Sequence, residues 1–175
     1  MKIPTQKDLN EVRKTGFRPS IMCSCIHEKK VLLLYKKEYS LWMFPQKGVD
    51  NGEEIIDAVF KEIKEELGEK FNDNCIQDEI LVYGDDQIEF LPEKQIPDGL
   101  QADDGKSMTM LGKKFYFCAV ASLSEELDIK DTEFDDYYWL EYQPAMFLAK
   151  KIHQPGKRRV TIKALNSLKE MDVIS

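Results

Sequence analysis

Apolar residues recur along this chain at alternate positions in some stretches and at every third or fourth position in others, and the order of these rhythms predicts its elements. Ser20–Ile26 and Val31–Tyr35 are apolar or small, and the polar turn His27–Lys30 separates them, as in a strand hairpin. Trp42–Phe44 reads as a further short strand, and Pro45 to Gly52, with its Gly, Asn and Asp, as an irregular loop. Ile55, Val59, Ile63 and Leu67 then recur every four residues, Ile56 and Phe60 widen the stripe, and Gly68 suits a C-terminal cap. That pattern predicts a helix starting near Glu53. Ile76–Tyr83, Lys114–Ala121 and Tyr137–Leu140 read as strands, and Pro144–Lys151 and Lys157–Lys169 as helices. Residues 1–16 read as a polar N-terminal arm or short helix ending at Gly16. Residues 84–113, rich in Asp, Pro and Gly, read as a long loop insertion. The mixture predicts one α/β domain over residues 1–175, with a mixed sheet between helices.

Composition narrows the function. At 175 residues, 42% of them hydrophobic, the chain has material for a core and is not wholly disordered. No apolar run approaches the ~20 residues of a membrane span, and Met1–Asn10 lacks the pattern of a signal peptide. With Lys and Arg at 25 and Asp and Glu at 32, the net charge is −7, which argues against duplex DNA as a partner. It leaves room for a local basic patch that grips one phosphorylated end, from Lys29–Lys30, Lys36–Lys37, Lys150–Lys151 or Lys157–Arg158–Arg159. Most such doublets are simply solvated surface. The four cysteines, Cys23, Cys25, Cys75 and Cys118, form no CxxC pair and read as reduced core residues of a cytoplasmic protein. His27 and His153 fall in turns and are poor catalytic candidates.

The segment that carries chemistry is the helix after Glu53. At about 100° per residue, Glu62 and Glu66 lie about 40° apart beside the apolar stripe, and Glu65 about 60° beyond Glu62. Like charges so close repel and hold protons unless a cation intervenes, and Mg²⁺ prefers such oxygen ligands. A charged, solvated helix face is the plainer alternative.

The preceding loop changes that balance. From Lys47 through Glu53 to Lys61-Glu62-Ile63-Lys64-Glu65-Glu66-Leu67-Gly68, the segment resembles the Nudix box, G-x5-E-x7-R-E-U-x-E-E-x-G-U, where U is a bulky aliphatic residue. Lys47 stands in the first Gly slot, with Gly48 one position late; Lys61 replaces the Arg and Glu69 the last aliphatic residue. Phe17-Arg18-Pro19-Ser20, Trp42-Met43-Phe44-Pro45-Gln46, Gly112–Phe117, Thr132-Glu133-Phe134-Asp135 and Tyr137-Tyr138-Trp139 resemble one branch, the bacterial RNA 5′-pyrophosphohydrolases and dinucleoside polyphosphate hydrolases. The resemblance implies a Nudix-type α/β/α sandwich and Mg²⁺ or Mn²⁺ held by Glu62, Glu65, Glu66 and the Lys47 carbonyl. It implies a Glu133 that faces the metals and an Arg18 that contacts phosphate. Glu62, Glu66 and Glu133 are the candidate catalytic groups, and which of them is the base stays open. Glu53, Lys61 and Gly68 would support the box, with Lys61 keeping a charge for Glu53 but losing the Arg fork.

The function implied is metal-dependent hydrolysis of the phosphoanhydride bonds of 5′-triphosphorylated RNA ends or dinucleoside polyphosphates. The alternatives are a nucleoside triphosphate or nucleotide-sugar pyrophosphatase, or a binding module on the same fold with little turnover. Phe17, Tyr83, Phe90 and Phe115 are candidates to stack on a base.

Overall fold

The computed structural model describes all 175 residues. In chain order its elements are α1 (Gln6–Lys14), β1 (Phe17–His27), β2 (Lys30–Lys36), β3 (Leu41–Met43), β4 (Gln46–Gly48), α2 (Ile55–Leu67) and α3 (Glu69–Asp73). There follow β5 (Leu81–Glu89), β6 (Ile96–Gln101), β7 (Ser107–Met110), β8 (Gly112–Ala121), β9 (Asp136–Leu140), α4 (Tyr142–Ala149) and α5 (Pro155–Glu170). Seven strands form one mixed sheet in the order β3-β2-β1-β8-β5, with β4 on β1 and β9 on β2. Only β1 and β8 run parallel, from Phe17 opposite Gly112 to Ile26 opposite Ala121.

Side-chain alternation along β1 sorts the core into two layers. Ile21, Cys23 and Cys25 face one side, where they pack with Ile55, Val59, Ile63 and Leu67 of α2 and with Leu9 of α1. Met22 and Ile26 face the other, packing with Val160, Ala164, Leu165 and Leu168 of α5. The result is an α/β/α sandwich whose sheet is covered on both faces. The four cysteines are buried free thiols, three of them on the central strands β1 and β8.

Residues 84–113 correct the loop expectation. They complete β5, form the β6–β7 hairpin, which pairs Leu100 with Met108, and begin β8. Gly84, Asp85, Asp86 and Gln87 have low strand preference, but β8 supplies a ladder partner for each. Pro92, Pro97, Asp104 and Gly105 punctuate the segment without dissolving it. The strand expected at Ile76–Tyr83 starts only at Leu81, because Gln77–Asp78 turns; upstream, a single bridge joins Cys75 to Ser122. Pro45–Gly52 is likewise partly ordered, its residues 46–48 forming β4.

Candidate active site

The loop between β4 and α2 is clamped from the N-terminal helix. Thr5 and Asp8 cap α1 reciprocally. Arg13, four residues after the buried Leu9, is itself 1% exposed. Its guanidinium donates to the Val49 carbonyl (3.0 Å), the Asp50 carbonyl (3.2 Å) and Asn10 Oδ1 (2.8 Å). Gln6 Nε2 donates to the Glu53 carbonyl at 2.6 Å. Glu53 in turn accepts from the Asp50 N–H at 3.1 Å, and Lys61 Nζ lies 4.0 Å from its other oxygen. Gly68 ends α2 at φ 94°, ψ 158°, a conformation open to glycine that turns the chain straight into α3.

Lys47 occupies β4 opposite Ile21. It is absent from the positive-φ residues, so this slot makes no demand that only glycine could meet. The Cys23 N–H bond to Pro45 and the Val49 N–H bond to Pro19 bracket the Ile21–Lys47 pair. Alternation makes it a hydrogen-bonded pair, so the Lys47 carbonyl accepts from the Ile21 N–H and keeps one lone pair for another partner. The glycine with a spatial role is the next one. A Cβ on Gly48 would run into the Arg18 guanidinium, which crosses directly over it and reaches 3.7 Å from Asp50.

The helix carboxylates have diverged in environment. Glu62 is 5% exposed; burial, and then the charge of Glu66, push its pKa up to about 7. Glu66 also rises to about 7, through burial and then a carboxyl–carboxyl hydrogen bond with Glu133. Glu133 is held below the usual range, chiefly by the Lys36 ammonium at 2.9 Å. Glu65 is exposed and likewise lowered, because Lys47 Nζ donates to it at 2.8 Å. In this arrangement no three acidic side chains converge on one point, although Glu62 feels the charges of Glu66, Glu65 and Glu133. The donor set fits a hard divalent cation: two crowded carboxylates retain protons for want of positive charge, and Glu65 and Glu133 flank them.

Lys36 joins this group to a cleft of about 910 Å³ on the opposite, α5 side of the sheet, whose wall it also lines. Lys94, Lys113, Lys157 and Arg159 line the same cleft, against a single acid, Glu89. Lys113, paired in register with Arg18, is pulled below its ordinary pKa by burial and by the Arg18 and Lys157 charges. Phe90 and Phe115 face the cleft, whereas Tyr83 is turned into the sheet, where its hydroxyl meets that of Ser24 at 2.8 Å. Phe17 is 9% exposed and lies outside the lining. Of the basic clusters, Lys36, Lys157 and Arg159 reach the cleft, while Arg158 donates to the Ile152 carbonyl; Lys29 pairs with Asp172 and Lys151 lies over Phe147. Lys36 belongs to a predicted basic doublet, whereas Arg13, Gly48 and Lys113 are site residues the sequence does not single out. Only Arg13 left a local signal, its spacing from Leu9.

Comparison with known proteins agrees with this geometry. A family model described as NUDIX domain matches residues 16–163. An RNA pyrophosphohydrolase of Actinobacillus pleuropneumoniae serotype 5b is 28% identical over 133 residues, covering 73% of this chain and 61% of that protein. The chain therefore spans less than two thirds of that relative's length. An RNA pyrophosphohydrolase of Nitratiruptor sp. is 26% identical over 155 residues, covering 85% of this chain and 94% of that one. Among solved structures, a NUDIX hydrolase from Nitrosomonas europaea superposes with a TM-score of 0.60 at 14% identity, covering 89% and 90% of the two chains, a likeness of fold.

Proposed function

The chain is a hydrolase of phosphoric anhydrides belonging to the NUDIX domain family, and from that premise we propose that it removes pyrophosphate or phosphate from 5′-triphosphorylated RNA ends, with dinucleoside polyphosphates as the related substrate. The observation that carries this reading is the position of Lys36, which lines a cleft walled by cations and at the same time pairs with Glu133, the neighbour of Glu66. Mg²⁺ or Mn²⁺, held by Glu62, Glu65, Glu66 and the free lone pair of the Lys47 carbonyl, would supply charge neutralisation on the phosphate oxygens. Lys113 in the cleft wall and Arg18, its register partner on β1, orient the phosphates. A water attacks phosphorus, its proton passes to the Glu66–Glu133 pair, and the P–O anhydride bond breaks as the shortened phosphate leaves. Lys36 keeps Glu133 ionised for that transfer. Glu53 and Lys61 position the loop. The four buried thiols suit a reducing, cytoplasmic setting.

Glu62→Gln and Glu66→Gln each remove a charge while keeping shape, and turnover should fall on the order of 10²-fold or more. Pyrophosphate release from a 5′-triphosphorylated oligonucleotide in Mg²⁺ measures it. Near wild-type rates in both variants at saturating Mg²⁺ would refute the assignment.

A further inference from the structure

Two ammonium groups stand among the four glutamates, and one belongs to the residue that breaks the box pattern. Lys47 Nζ donates to Glu65 at 2.8 Å from a side chain only 22% exposed. Its stem crosses the same face of the sheet as Ile21, toward α2. Glycine in this slot has no side chain to do this. The pairing occupies Glu65 Oε2 with an ammonium, and no three acids converge on one point. Lys36 pairs with Glu133 at 2.9 Å from the cleft side, but Glu133 keeps its hydrogen bond to Glu66.

We propose that Lys47 is a built-in competitor for the divalent cation: its ammonium neutralises Glu65 in the metal-free protein and must be displaced before Glu65 can turn toward Glu62 and Glu66. The inference rests on the metal-dependent reading above. Its consequence is a raised threshold: the chain fills its site only at higher divalent concentration than it would with an uncharged residue there. The lysine at the same time keeps the metal-free carboxylate cluster from repelling itself apart. One group therefore acts with opposite sign on two measurable quantities, metal affinity and metal-free stability. A side chain that merely packs would not do so.

Mn²⁺ binding to the full chain, followed by electron paramagnetic resonance of the free ion and by calorimetry, tests this in wild type, Lys47→Met, Lys47→Gly and Glu66→Gln. Met keeps the stem and removes the charge; Gly guards against a packing artefact. Removing one positive charge beside a divalent ion at a partly screened site should tighten Mn²⁺ binding on the order of tenfold in both Lys47 variants. In EDTA the melting temperature of Lys47→Met should fall below wild type, and its rise on adding Mn²⁺ should exceed wild type's. Saturable wild-type binding that Glu66→Gln weakens but both Lys47 variants leave unchanged overturns the inference and spares the metal reading. Looser binding in both Lys47 variants also overturns it, since the lysine would then assist the ion. Absence of saturable Mn²⁺ binding in wild type overturns both.

Discussion

Residue by residue, the site divides into groups legible from spacing and groups that depend on what lies across from them. Glu62 and Glu66 sit where a 3.6-residue period puts them, and their burial follows from the apolar stripe they border. Glu65 has the same spacing credentials, yet its partner Lys47 reaches it only because residues 46–48 form a strand rather than an irregular loop. The raised pKa values give this arrangement a pH signature. Unfolded, Glu62 and Glu66 ionise near 4.5; folded, they hold protons to about 7. Between those values the folded chain binds more protons than the unfolded one, so its stability falls as pH rises through that window and levels off above it. Glu65 and Glu133, lowered by their lysines, act oppositely, but below the ordinary carboxylate range. In EDTA the melting temperature should therefore decline from pH 5 to pH 7. Saturating Mg²⁺, which favours the ionised pair, should flatten the slope. A metal-free profile that rises across the same window would mean the two carboxyls are ionised and paired in the fold.

At the level of elements, helices and central strands were readable because burial enforces their periods, whereas β5 was hidden by its composition. Asp85 and Asp86 sit on an edge strand, where one partner strand suffices and the side chains find cations, Lys114 and Arg159, rather than core. The N-terminal arm proved to be a clamp. Two buried or half-buried side chains of α1, Arg13 and Gln6, hold three carbonyls of the loop that leads into α2. Arg13→Met keeps much of the volume but leaves the Val49 and Asp50 carbonyls short of donors, at a cost of about 1–3 kcal/mol. Because the loop follows directly on Gly48, under Arg18, and carries Glu53, turnover should drop further than the stability loss alone explains. Chemical denaturation with kcat measured well below the melting temperature separates the two. A variant that is destabilised yet fully active when folded would confine Arg13 to a structural role.

Across the whole molecule, a net charge of −7 coexists with a cleft whose wall is cationic, so the field that draws substrate is local. Arg18, beside the cleft-lining Lys113 on the neighbouring strand, adds to that field. Its guanidinium lies on the bare Gly48 backbone with only a 3.7 Å approach to Asp50, leaving its donors free for a phosphate. A hydrogen bond to a charged group contributes ~1.5–3 kcal/mol, so Arg18→Ala should raise KM for a 5′-triphosphorylated oligonucleotide roughly ten- to a hundredfold. Gly48→Ala should imitate it, because the new Cβ displaces the guanidinium without removing its charge. Both should lessen the salt dependence of KM, the Arg18 variant more, since it alone loses the charge. The same assays run on a free nucleoside triphosphate and a dinucleoside tetraphosphate, at matched Mg²⁺ and salt, rank the substrates. With Phe90 and Phe115 facing the cleft beyond the cations, the oligonucleotide has bases to stack where the free triphosphate has only one. It should therefore lead in kcat/KM and lose most in the Arg18 variant. If the free triphosphate leads by a wide margin and Arg18→Ala penalises all three equally, the cleft serves the nucleotide pool and the RNA-end reading gives way to it.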